Sequence, residues 1–329
     1  MTAPHAGGPT RSVATTTRLG IGLAAAAAMI SGVSVWVNSY GVSQVPDAIL
    51  YTTLKNAVAA ALLVGLLLAI RARGAAAATD EPTARLSRGT AAALVLIGIF
   101  GGGLAFILFF SGLAQATASG AAFIQKTLFI WVALLAVPLL GVRLGWLQIG
   151  ALGALLAGQA LLTPPRAIAW GTGETMIAAA TLIWAAEVIV ARRLLRSGAV
   201  TAPVFGVARL GIGLIVLAGI VAIGGHLAAA GAIAPAGWGL VGLTGLLLAA
   251  YVATWFAALQ RAPATVVTSV LVAAAIITAI LQSLAAGRLP DTAPMAGAIL
   301  VGAAIALVVG RSIRATPSSD SELVPIVAA

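Results

Sequence analysis

The chain has 329 residues, 61% of them hydrophobic and only 8% charged, with a formal net charge of +10. Apolar stretches of bilayer-spanning length follow one another almost to the end, which excludes a soluble globular domain and points to an all-α polytopic membrane protein; an outer-membrane barrel would need short alternating strands. Zero cysteines exclude disulfides, thiolate metal sites and cysteine nucleophiles, and the two histidines, His5 in a tail and His226 in a loop, make no metal or acid–base cluster.

Residues 1–18 read as a polar, Thr-rich, disordered tail carrying Arg11 and Arg18. The apolar run that follows has a basic flank but no distinct cleavage site, so it reads as a retained helix rather than a signal peptide. Ten spans are expected, at 19–38, 48–70, 90–111, 118–138, 144–163, 172–193, 203–224, 236–258, 264–286 and 292–311. Residues 312–329 read as a second disordered tail. The spans divide into two five-helix units, 19–163 and 172–311.

Loop charges orient the chain. With the N-terminus cytoplasmic, the inside segments hold Arg11, Arg18, Arg71, Arg73, Arg85, Arg88, Arg143, Arg192, Arg193, Arg196, Arg261, Arg311 and Arg314, and the outside loops only Arg166 and Arg288. Both termini are therefore expected inside. The basic balance is topological and is no sign of a nucleic-acid partner.

The stretches LFFSGLAQATAS (Leu108 to Ser119) and TWFAALQRAPAT (Thr254 to Thr265) are alike, each closing one span and turning into the next. Lys55 and Arg209 hold matching places, each about two turns into a span. Five is odd, so the second unit enters the membrane from the opposite side. Inverted repeats of this kind are common in secondary transporters, with the substrate site near the midplane.

The segments SGVSVWVNSYGV (Ser31 to Val42), TTLKNAVAAALLVGLLLA (Thr52 to Ala69), GLAQATAS (Gly112 to Ser119), LIWAAEVIVARRLL (Leu182 to Leu195) and VARLGIGLIVLAGI (Val207 to Ile220) resemble the EamA-like members of the drug/metabolite transporter superfamily. The resemblance covers nearly the whole chain between the tails. It implies ten helices as five plus five, both termini inside, and a basic residue at the Lys55 position. One departure stands out. The family often has a glutamate after the fourth and ninth helices, in a Gly-Glu-Arg-Leu pattern. Here GVRL (Gly141 to Leu144) and AGRL (Ala286 to Leu289) put Val142 and Gly287 in its place, so no role of that acid carries over.

Charge inside hydrocarbon is costly and marks function. The intramembrane charges are Lys55, Lys126, Glu187 and Arg209, with Glu174 near a span end. By residue count, Lys55 and Lys126 lie roughly 10–12 Å from the outer surface at 1.5 Å per residue, and Glu187 and Arg209 share a depth in the cytoplasmic half. Glu187 and Arg209 on consecutive antiparallel spans invite an ion pair, either as packing only or as a proton-coupling site. Arg209 has a third option, snorkelling to the inner interface. Lys55 and Lys126 have no acidic partner at their level in the first unit; Asp47, a loop residue along the helix face, is a candidate for Lys55 and Glu174 for Lys126, and a snorkelling lysine is the plainer alternative for each. The sharper reading is an electropositive cavity that takes an anionic group, with Asn56 beside Lys55, and Gln125 and Thr127 beside Lys126.

Ser31, Ser34 and Asn38 make a polar stripe on the first span, for a bundle-facing hydrogen-bond surface or for a solute. Among the aromatics Trp36, Tyr40, Trp131, Trp184, Tyr251 and Trp255, Trp184 lies one turn from Glu187 and is the strongest cavity candidate. Trp146, Trp170 and Trp238 sit near span ends as belt residues. Glycines crowd the fifth span (Gly145, Gly150, Gly153, Gly158) and the tenth (Gly297, Gly302, Gly310), which suits close helix approach in a scaffold or a homodimer contact. Pro138 is expected to bend the end of the fourth span.

The candidate substrate-binding residues are therefore Lys126, Lys55, Asn56, Asn38, Ser34, Trp184 and Tyr251, and the candidate coupling pair is Glu187 and Arg209. No catalytic residue, metal ligand or cofactor is expected. The expected partners are a small-molecule substrate and the lipid bilayer. The expected function is a secondary transporter, an exporter of a small metabolite or drug-like solute, working by alternating access on a proton gradient or by exchange; no P-loop is present for ATP hydrolysis. A non-transporting structural or sensory protein is the alternative, and an intramembrane enzyme ranks last for want of a nucleophile–base pair. The alanine-rich composition suggests the plasma membrane of a bacterium. In the ninth span Val272 stands about where Lys126 maps, so the repeat fold does not by itself demand a lysine there.

Overall fold

The structure is a computed structural model that describes residues 10–75, 86–116, 118–164, 170–287 and 290–314. The outer parts of both expected tails, and Arg85, Arg166 and Arg288, lie outside the described residues. The described elements are all helical: α1 (Thr10–Gln44), α2 (Ala48–Ala75), α3 (Arg88–Ile97), a π-helical stretch (Gly98–Leu104), α4 (Ala105–Leu113), α5 (Ala118–Lys126), α6 (Leu128–Leu140), α7 (Trp146–Leu162), α8 (Thr172–Arg196), α9 (Ala202–Ile223), a 3-10 turn (His226–Ala232), α10 (Pro235–Arg261), α11 (Ala264–Leu271), α12 (Ala273–Ala285) and α13 (Thr292–Arg314). Among the described residues, 9 helical spans are long and apolar enough to cross a membrane, and α7 is a shorter apolar helix. The chain is a multi-pass membrane protein. α1 begins at Thr10, inside the stretch read as a tail, because the Thr-rich segment continues the helix.

The helix ends follow local chemistry. Ser87 caps α3, its hydroxyl accepting from the Thr90 N–H at 3.1 Å. Glu174 reaches back to accept from the Gly171 N–H at 3.0 Å at the start of α8. Prolines open α9 and α10, where a missing N–H does no harm. α6 ends at Gly141, φ 67°, and the C-terminal turn of α12 ends at Gly287, φ 62°. A left-handed residue here is easiest for glycine. In the register of α6 and α12, 145 residues apart, Gly287 lies opposite Val142 as the sequence reads, and the left-handed residue falls one position later in the second half.

Two expected spans are interrupted. Between α5 and α6 the Thr127 N–H turns back to Ile124 O and the Ile130 N–H to Thr127 O; between α11 and α12, Val272 bonds Ser269 O and Ala275 bonds Val272 O. The same tight turn therefore recurs 145 residues on. Superposing the two turns places Lys126 opposite Leu271, one residue from the Val272 expected. No Pro or Gly marks either turn.

The halves interleave. α1 packs along α10 and against α11 and α12, α2 against α9 and α10, and α8 against α4 and α6. α7 pairs with α13 where Gly158 and Gly297 meet: a Cβ on either would fall 2.9 or 2.7 Å from the other's carbonyl oxygen. The π-helical stretch crosses α9 more closely still. A Cβ on Gly102 would sit 2.0 Å from Arg209 O, and one on Gly213 2.4 Å from Gly102 C.

Candidate functional site

A cavity of about 160 Å³ lies at the centre of these crossings, lined by α1, α2, α4, α5, α6, α8, α9, α10 and α11. At roughly 10–15 Å³ per probe-sized water, it holds on the order of ten waters or one small solute. Lys55, Lys126, Glu187 and Arg209 all line it. The lysine level and the ion-pair level thus open on one cavity. Lys55 Nζ lies 6.0 Å from the Phe106 ring centre and Arg209 Cζ 5.2 Å from the same ring. Long side chains reaching toward one ring close the gap that residue counting leaves between backbones.

Lys55 and Arg209 are each the eighth residue of their helix, α2 and α9. Their partners differ. Arg209 Nε donates to Glu187 Oε1 at 2.5 Å, both side chains buried, and its Nη2 donates to Gly101 O at 3.2 Å. Trp184 Nε1 donates to the same carbonyl at 3.0 Å. The π-helical turn around Gly101 gives that carbonyl to side chains, a geometry frequent at functional sites. A Cβ on Gly101 would sit 2.2 Å from Glu187 Oε2, so any larger residue there would have to displace that carboxylate. That second carboxylate oxygen is buried with no hydrogen-bond partner.

Among the described residues Lys55 pairs with no carboxylate. Its ammonium donates to Asn38 Oδ1 at 3.0 Å and stands 3.6 Å over the Phe110 ring, a cation–π contact. Asp47, the candidate partner along the helix face, instead meets His226 Nδ1 at 2.6 Å and accepts from the Leu50 N–H at 2.8 Å. Asp47 precedes α2 in a loop, so its side chain turns to cap the helix and to the 3-10 turn. Burial pushes the Asp47 carboxyl up, but the Leu50 N–H and His226 outweigh it and hold the group below its usual range.

Lys126, also buried, donates to Ser31 Oγ at a long 3.3 Å. Glu174, expected beside it, is engaged at its own helix N-terminus. Gln125 lines the cavity near Lys126 and leaves its Oε1 buried and unbonded.

On α1 the polar stripe faces inward: Ser31, Ser34 and Asn38 all line the cavity. Asn38 Nδ2 donates to Ser34 O at 2.7 Å and Ser34 Oγ at 3.0 Å, so its Oδ1 is free for Lys55. Tyr51 Oη, 2.8 Å from that same Oδ1 and 3.1 Å from Thr244 Oγ1, joins α1, α2 and α10. Asn56 does not belong here. It is fully buried outside the lining, its Nδ2 bonded to Thr52 O; one residue past Lys55 on a helix points about 100° away.

Trp184, Tyr251 and Trp255 line the cavity, and Tyr251 stacks on Trp255 at 5.8 Å. Trp36, Tyr40 and Trp131 are not in its lining. Trp146, Trp170 and Trp238 are exposed at 88%, 65% and 46%, as for a lipid-facing belt. Phe106, like Phe110 and Tyr51, is a site residue that the sequence did not single out. It lies between Lys55 and Arg209, at 6.0 and 5.2 Å from its ring centre, and edge-on to Trp184 at 5.6 Å.

The family model of EamA-like transporters matches residues 18–163 and again 171–310. The chain belongs to the EamA-like transporter family. That family is part of the drug/metabolite transporter superfamily, so the resemblance of the separate segments holds across both halves. One solved crystal structure resembles this EamA-family chain with a TM-score of 0.66, over 89% of this chain and 98% of its own, at 18% identity; at that identity the likeness is one of fold. No curated protein matches the sequence.

Proposed function

We propose that this EamA-family chain is a secondary active transporter that exports a small metabolite or drug-like solute bearing an anionic or zwitterionic group. The observation that carries the reading is a central cavity holding two buried lysines, Lys55 and Lys126, whose hydrogen-bond partners are neutral oxygens of Asn38 and Ser31. Ammonium groups kept in a membrane interior without a counter-ion are poised for one that arrives with the solute. The aromatic faces of Phe106, Trp184 and Tyr251 suit the solute's apolar part. Such a chain is a carrier and not an enzyme.

The mechanism is alternating access between two inverted five-helix repeats, ten spans in all, with both termini cytoplasmic. The recurring turns at Thr127 and Val272, and the eighth-residue places of Lys55 and Arg209, support the repeat. α7, with 17 residues, is within the range of about 17–25 that spans a bilayer and supplies the tenth span. The arginine excess on one set of loops supports the orientation. Glu187, with one oxygen on Arg209 and the other unbonded, is the group through which a proton gradient or an exchange couples.

Purified protein in liposomes, offered labelled anionic, zwitterionic and cationic solutes with and without a pH gradient, tests this. The expected result is flux of the anionic or zwitterionic class. No flux of any class from folded protein overturns it.

A further inference from the structure

The cavity reaches toward one end of the bundle only. On α1 its lining runs from Ser31 to the exposed Ser39, and it continues through Leu113 and Ala121 at the corner between α4 and α5. Toward the other end it stops at Phe256 of α10 and Thr268 of α11. Beyond these, Ala258, Leu259, Ala262 and Leu195 are buried, and a Cβ on Gly20 of α1 would fall 2.8 Å from that of Ala262.

Two consecutive arginines near the C-terminus of α8 fasten this closed end. Arg192, buried, donates from Nη1 to Leu259 O at 2.6 Å. Arg193 donates from Nη2 to Leu139 O. Each guanidinium thus leaves its own helix and caps the last turn of another, α10 in the second half and α6 in the first. Both carbonyls lack a helical partner for reasons written in the sequence. The residue four after Leu259 is Pro263, which has no N–H, and α6 stops at Leu140 before the left-handed Gly141. The ends of helices also carry the negative pole of the backbone dipole, which suits a cation. Neither contact is to a carboxylate, so water can replace each carbonyl without leaving a buried anion behind.

We propose that Arg192 and Arg193 are the latch of a gate at this end. Their caps hold α6, α8 and α10 together while the cavity is open toward the other end, and their release lets the cavity open here. The inference rests on the alternating-access reading above.

The chain has no cysteine, so thiols can be introduced one at a time without background. Thr268→Cys puts a thiol on the cavity wall toward the latch, and Ser39→Cys one at the open end. A membrane-impermeant maleimide is applied to each face of oriented vesicles. With both arginines in place, Ser39→Cys labels from the open face and Thr268→Cys does not label from the latch face. Arg192→Gln with Arg193→Gln should raise Thr268→Cys labelling from the latch face about tenfold or more, the factor for one charge-assisted hydrogen bond lost from the closed state, while Ser39→Cys labelling falls. Arg193→Gln alone, at an exposed side chain, should give the same opposed changes in smaller measure, and it decides the matter where the double variant fails to fold. Unchanged Thr268→Cys labelling overturns the latch. So does an equal rise at both thiols with a lowered melting temperature, which reports loosened packing. No substrate enters this readout: opposed labelling with no flux of any solute would sink the transport reading and leave the latch standing.

Discussion

Lys126→Met separates a lysine kept for a ligand from one kept for the fold. In the structure the ammonium has one long contact, 3.3 Å to Ser31 Oγ, whose length holds it to about 1.5 kcal/mol, the low end for a bond to a charged group. Against it stands the desolvation of a buried ion, several kcal/mol in effective terms. Methionine is unbranched and close in length, and replacing buried ions by packed apolar side chains is often neutral or stabilising by about 1–4 kcal/mol. The variant should therefore melt at the same temperature as the parent or higher. Solute binding should move the other way. Losing one charge-assisted hydrogen bond to an anion costs about 1.5–3 kcal/mol, a factor of roughly 10–150 in affinity. Thermal unfolding in detergent and flux in liposomes read the two quantities on one preparation. Lys126→Arg should restore flux only in part, because a planar fork does not fit a site shaped for a compact ammonium. Parental flux in Lys126→Met refutes the ligand role. A melting free energy lower by more than about 2 kcal/mol refutes the partner accounting, because it would show the lysine holding structure.

Glu187→Gln leaves Arg209 buried without its charge partner and should destabilise by about 3–5 kcal/mol, read as a fall in melting temperature; any flux that survives should no longer respond to a pH gradient. Gly102→Ala places a methyl 2.0 Å from Arg209 O, a backbone atom that cannot rotate away, and should cost more than the roughly 1–3 kcal/mol typical of overpacking, so a variant as stable as the parent would contradict the crossing. For Asp47 the carboxyl is lowered in the folded state, so its contribution is complete above the ordinary value of 3.8 and is lost as the pH falls through the lowered value. Asp47→Asn should accordingly narrow the stability difference between neutral and strongly acid melts; an unchanged difference would show that neither the Leu50 N–H nor the His226 contact stabilises the carboxylate.

The membrane architecture was legible because hydropathy and span length are properties of consecutive residues. Side-chain direction was not. Counting along helices left Asp47 a candidate for Lys55 and Glu174 for Lys126, and both acids sit at helix starts, where capping a backbone N–H competes with a distant lysine and wins. Glu174, three residues after Gly171, carried that signal in its spacing. Asn56 was placed in the cavity by adjacency to Lys55, against the helical period. Glu187 and Arg209 share an inner depth in the count and do meet, but the count set them apart from the lysines because it follows backbones and ignores reach. Phe106 escaped notice as one apolar residue among many. The turns at Thr127 and Val272 had no Pro or Gly to mark them. The run Gly101, Gly102, Gly103 did stand in the sequence, and three adjacent glycines within a span are a fair sign of backbone contact.

That glycine run divides the site into two kinds of material. Behind the cavity, α9 and the π-helical turn meet backbone to backbone at Gly102 and Gly213, and Gly101 offers its carbonyl from there to Arg209 and Trp184. Main-chain atoms are the same whatever residue carries them, so this wall is closed to change except by loss. At the front stand side chains on other helices, Lys55, Lys126 and Tyr251, each replaceable without moving a backbone. A lineage built on this chain can therefore alter what it accepts by exchanging the front while the back stays as a common stage.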